Sequence, residues 1–89
     1  MSITHAPELV AVWTEGGHPS RLVWRGVRYL VTDTPTALQE PVVHDALTHP
    51  GSRVFGWRFQ GTSVSDGDTR VFDVRPISGG RWELAAVYD

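Results

Sequence analysis

The 89-residue chain contains no cysteine, no lysine and no apolar run that approaches the ~18 residues needed to cross a bilayer. The missing cysteine excludes a disulfide scaffold, a Cys-ligated zinc site and thiol catalysis, and it fits a reducing compartment. The opening "MSITHAPELV" lacks the charged start and apolar core of a signal peptide, so a soluble cytoplasmic protein is expected. Excess charge is missing as well. A formal net charge of −2 gives no bulk attraction to nucleic acid or anionic lipid, and any such binding has to be local. All eight basic residues are arginine, which codon use in a GC-rich genome explains before any chemistry does.

What the chain does have is aromatic weight: four tryptophans, two tyrosines and three phenylalanines, enough for a core without disulfides or metal. A chain of this length has one core, so residues 1–89 form a single domain. Short runs rich in Val, Trp, Phe and Tyr alternate with "EGGH", "RG", "SDGD" and "SGG", the pattern of strands and turns. Each turn fixes a register that can be tested, because a slip of one residue mixes charged and apolar side chains on one face.

A two-residue Gly16-Gly17 turn sets Trp13 opposite Ser20, Ala11 opposite Leu22 and Leu9 opposite Trp24. An Arg25-Gly26 turn sets Trp24 opposite Val27 and Leu22 opposite Tyr29, although arginine is not favoured at positive φ and a bulged variant stays open. An Asp66-Gly67 turn pairs Phe59 with Val74 and Gly61 with Phe72, with Trp57 and Phe55 on the same face. A three-residue Ser78-Gly79-Gly80 loop pairs Val74 with Leu84, Phe72 with Ala86, Pro76 with Trp82 and Arg75 with Glu83. The expected fold is therefore all-β and mainly antiparallel. Six strands form two three-stranded meanders, residues 8–33 and 53–88, packed as a small barrel or sandwich. Residues 34–51, "TPTALQEPVVHDALTHPG", are expected to be an irregular crossover or one short helix starting at Pro41 and carrying Val42, Val43, Ala46 and Leu47, rather than a strand.

Catalytic and metal patterns are not recognisable. His44 and His49 are five apart, whereas helical metal pairs need three or four, and His5 and His18 complete the histidines. Ser20, Ser52, Ser63, Ser65 and Ser78 sit in turns or strand ends without a strand-to-helix elbow. Residues 66–68, "DGD", lack the other ligands of a calcium loop, and Asp66, Asp68 and Asp73 fall on a turn and an outward face. No glycine-rich stretch leads from a strand into a helix, so no phosphate loop is present. The expectation is a non-enzyme with no cofactor and no metal. In these registers Arg58 lies opposite Arg75, which lies opposite Glu83, a charge row on a wet face.

The first meander is stranger. Its outward face carries Val10, Val12, Val23 and Leu30 with Arg21 and Arg28, and Arg25 stands at the hairpin tip. That is too apolar for a plain solvent face. Residues 34–51 are expected to cover it through Val42, Val43 and Leu47, since a long irregular connection needs something to pack on. If the face is open, those seven residues form the binding site.

The stretch "LVWRGVRYLV" and the closing "WELAAVYD" resemble a family of small uncharacterised actinobacterial domains. Its pattern is Trp-Arg-Gly, then Tyr, then a hydrophobic residue, ending with Trp-x-Leu and a terminal Asp, matched by Trp24, Arg25, Gly26, Tyr29, Val31, Trp82, Leu84 and Asp89. Val27 stands where that pattern has a basic residue. Some members of that family are associated with sequences resembling lesion-bypass DNA polymerases, so the resemblance implies an accessory role near nucleic acid. The expected function is a non-catalytic module that binds a protein partner or itself, away from membranes. The alternative is a small single-stranded nucleic-acid-binding module linked to DNA repair, which needs exposed aromatics that these registers bury.

Overall fold

The computed structural model describes residues 3–4, 7–41 and 52–88. Eight strands run in order: β1 (Ile3–Thr4), β2 (Glu8–Glu15), β3 (His18–Trp24), β4 (Val27–Val31), β5 (Thr36–Pro41), β6 (Ser52–Ser63), β7 (Thr69–Ile77) and β8 (Arg81–Tyr88). All the pairings are antiparallel. Strands β8, β2, β3, β4, β6 and β7 close into a six-stranded barrel, with β5 on the free edge of β6 and β1 on that of β8. No described helix is long and apolar enough to cross a membrane.

Two hairpins follow the turn chemistry. Gly16 and Gly17 both have positive φ, 63° and 88°, and so do Arg25 and Gly26, 52° and 77°; these left-handed pairs match the twist of the strands they join. Arg25 is the one non-glycine residue at positive φ among those described. The β3–β4 register is the expected one, Trp24 opposite Val27 and Leu22 opposite Tyr29. A 3-10 turn over Ser78–Gly80 joins β7 to β8 and sets Val74 opposite Leu84, Arg75 opposite Glu83 and Pro76 opposite Trp82, also as expected.

Three strands carry an extra residue, and each corrects an expectation. Between β2 and β3 the register passes from Thr14↔Pro19 to Trp13↔Arg21, so Ser20 is bulged and Val12, rather than Ala11, lies opposite Leu22. In β6 the bulged residue is Phe55, which is exposed instead of continuing the inner face of Phe59 and Trp57. In β8 it is Ala85, so Phe72 lies opposite Val87 and not Ala86.

The β6–β7 connection is longer than an Asp66-Gly67 turn. Buried Ser63 binds the loop through its side chain, accepting from the Ser65 and Asp66 amides at 3.2 and 3.4 Å, while its own amide donates to Asp68 O at 2.8 Å. The register moves by two, Phe59 facing Phe72 and Arg58 facing Asp73. An even shift keeps the inner face inner but replaces the expected Arg58–Arg75 opposition with an ion pair.

Residues 36–41 are a strand, against expectation. The 12-residue β6 outruns β4, and its first half offers an open edge that β5 fills from Thr36↔Arg58 to Pro41↔Ser52. Pro41 closes the strand at a sheet edge, where a missing N–H costs no ladder bond. The expected helix, with Val42, Val43, Ala46 and Leu47, lies outside the described residues.

The core fills the barrel with Leu22, Trp24, Tyr29, Phe59, Phe72, Val74, Leu84 and Val87. Phe72 is its hub: the rings of Tyr29, Trp24 and Phe59 stand 4.8, 5.8 and 5.8 Å from it. Gly61 makes room for that hub, since a Cβ there would sit 2.8 Å from Phe72 Cε2.

Candidate functional site

The outer wall of β2, β3 and β4 carries the strongest surface anomaly among the described residues. Ser20 Oγ donates to the Trp13 carbonyl at 3.1 Å, and beyond this bulge β2 is turned over relative to the simple register. Leu9, Ala11 and Trp13 consequently point outward, while Val10 and Val12 turn inward and pack against the core. The wall is openly apolar: Leu9 is 60% exposed, Trp13 45%, Leu30 47% and Val64, which follows β6, 56%.

Four of the seven residues expected to form this face come together on it. Arg21 lies opposite Leu30 and Val23 opposite Arg28, so cations and apolar side chains alternate in a checkerboard across β3 and β4. Val10 and Val12 are half-buried and turned toward the core rather than outward, a correction whose cause is the Ser20 bulge, although both still line the groove that runs toward Trp82. Arg25 does not reach the face either. It folds back from the hairpin tip, its guanidinium 4.7 Å from the Trp24 ring centroid and its Nη2 3.0 Å from Glu8 Oε1. Sequence reasoning missed Leu9, Ala11, Trp13 and Val64; the first three were moved by the bulge at Ser20, which no local signal in the strand marks.

The charges on this wall are set apart from those elsewhere. Arg25, Arg58, Arg70 and Arg75 pair with Glu8, Asp73, Asp68 and Glu83, and Arg81 donates to the Ser78 carbonyl. Arg21 and Arg28 have no ion-pair partner among the described residues; Arg21 lies over the Trp13 ring, 5.4 Å from its centroid. Two open grooves meet at Trp13 and Val23, one running toward Trp82 and the other past Leu30 to Val64. The second encloses about 620 Å³, the size of a small-molecule site, but among the described residues its charged lining is Arg21 and Arg28 alone, which suits a larger apolar surface better than a small polar ligand.

The other clusters are structural. Asp73, 6% exposed, accepts from Arg58 and from the Tyr88 hydroxyl at 2.9 Å. That hydrogen bond, before burial, raises the Tyr88 pKa above the ordinary 10. Burial raises the Tyr29 pKa in the same direction. Glu8 is held below the usual carboxylate range first by its hydrogen bond from Arg25. The buried Trp24 indole N–H adds to that lowering by its approach to Glu8, yet it does not reach hydrogen-bonding geometry. His18 stands edge-on to Trp57 at 6.2 Å, and no group of three metal-ligating side chains occurs among the described residues. His5, His44 and His49 lie outside them, as do Val42, Val43 and Leu47, the residues expected to cover the wall.

Comparison with protein-family models, with curated proteins and with solved structures finds no match, and so none bears on the resemblance carried by Trp24, Arg25 and Gly26.

Proposed function

We propose that this domain is a non-catalytic protein-binding module whose docking face is the outer wall of β2, β3 and β4. The observation that carries the reading is the exposure of Leu9, Trp13 and Leu30 on the sheet surface with Val64 beside them, joined through the two grooves that meet at Trp13 and Val23. Scattered apolar residues need no explanation, but a contiguous apolar wall with arginine beside it has the composition of an interface centre. Trp and Arg are also the side chains that carry most binding energy when an interface closes over them.

Leu30→Glu tests the reading. The substitution changes a half-exposed side chain, so the thermal midpoint is expected to stay put while partner binding is lost. A collapse of the midpoint would show instead that the wall is core.

A second reading, a single-stranded nucleic-acid module, is supported by the exposed Trp13 and its Arg21 neighbour, the pair of groups that base stacking and phosphate contact require. It is disfavoured by Trp13 being the one exposed aromatic on this wall among the described residues, and by the net charge of −2. Titration with a labelled oligonucleotide at low salt decides it, because phosphate contacts are strongest there.

A further inference from the structure

Resting on that docking reading, we infer that the occupant of the wall is a protein segment that brings carboxylates alongside apolar side chains, seated with one carboxylate on Arg21 and one on Arg28. Every other arginine with a described side chain has found an acid or a carbonyl within the fold, while these two stand among Val23, Leu30 and Trp13 without one. They occupy diagonal positions across β3 and β4, where side chains stand roughly 7–8 Å apart, close enough for one short segment to meet both. A guanidinium covered by an apolar partner without a counter-charge loses its hydration with nothing in return, so the partner that closes this wall must carry the missing negative charge. The Trp13 ring already holds Arg21 in place, which lowers the ordering cost of that contact.

The same charges argue against a second copy. A two-fold interface puts a patch against itself, and here it would set Arg21 and Arg28 against the same two guanidiniums.

The experiment is selection of a random displayed peptide library against the whole domain, followed by affinity measurement with synthetic copies of the recovered peptides. Expected are sequences rich in Asp and Glu next to large apolar residues. Their affinity should fall about tenfold for either Arg21→Gln or Arg28→Gln, the scale of one lost charge-assisted hydrogen bond, and should fall further with added salt. Leu30→Glu and, at a second exposed position, Val64→Glu should abolish binding without moving the thermal midpoint. Apolar peptides without acidic enrichment, blocked by Leu30→Glu but indifferent to Arg21→Gln and Arg28→Gln, would overturn the acidic occupant and leave the docking face standing. Recovered peptides indifferent to both glutamate variants, or no recovered peptide at all, would overturn both. A dimer in sedimentation that Leu30→Glu dissociates would give the wall to a second copy and overturn the acidic segment.

Discussion

Arg58 and Asp73 face each other across β6 and β7 with two hydrogen bonds, Nε to Oδ1 at 2.7 Å and Nη2 to Oδ2 at 2.9 Å, and the Tyr88 hydroxyl sits between them, accepting from Arg58 at 3.0 Å. The carboxylate is buried, so removing the arginine strands a charge. Arg58→Met is expected to cost about 2–3 kcal/mol, and a cycle with Asp73→Leu to give a coupling of about 1–3 kcal/mol in urea unfolding. A coupling below about 0.5 kcal/mol would mark the pair as an ordinary surface contact.

The Ser20 bulge makes neighbouring positions in β2 behave oppositely. Leu9→Gln should change stability by no more than about 0.5 kcal/mol, as exposed positions do, whereas Val12→Gln should cost about 2 kcal/mol or more by forcing an unpartnered amide against the core. Denaturant titration of the two variants checks the facing of the strand; the reverse ranking would mean the bulge is absent.

Both tyrosines should titrate above 10 when followed by ultraviolet absorbance, Tyr88 because its proton serves Asp73 and Tyr29 because it is buried. A folded-state pKa raised above the unfolded value favours the protonated side chain. The resulting stabilisation is complete below about pH 10 and is lost as pH rises through the folded values. Tyr88→Phe leaves a single titration, that of Tyr29, and a titration at the ordinary value in that variant would count against its burial.

Gly61 has no space for a methyl group between Phe72 and Tyr29. Gly61→Ala should lower stability by about 1–3 kcal/mol through overpacking, and Phe72→Leu in the same chain should recover part of the loss. The thermal midpoint reports it, at roughly 4–8 °C per kcal/mol for a domain of this size. An unchanged midpoint would show that the Phe72 ring does not lie against the glycine.

What the sequence disclosed was local. Gly16-Gly17, Arg25-Gly26 and Ser78–Gly80 each marked a real turn, and alternation correctly sent Leu22, Trp24 and Tyr29 inward and Arg21, Val23, Arg28 and Leu30 outward. The failures have a common physical form. Ser20, Phe55 and Ala85 are ordinary strand residues that become bulges because closing a barrel demands local twist, and that demand comes from distant strands. Thr36–Pro41 likewise became a strand because β6 left an edge to fill, which two flanking prolines gave no reason to expect. The site inherited the first error: its arginines were legible from one hairpin, whereas Leu9 and Trp13 depended on a bulge one hairpin earlier.

The seam between β2 and β8 joins Glu8 to Leu84, Leu9 to Glu83 and Val10 to Trp82, residues from nearly opposite ends of the chain. Its consequence concerns time. Neighbouring hairpins can form as soon as a few residues meet, but this seam exists only after almost the whole chain has been gathered, and loop-closure entropy opposes it until then. Barrel closure is therefore expected to be the late step, and stopped-flow refolding is expected in the millisecond-to-second range typical of non-local β topologies. One edge of the proposed docking wall, Leu9, sits at that seam, so the wall is completed only when the barrel shuts.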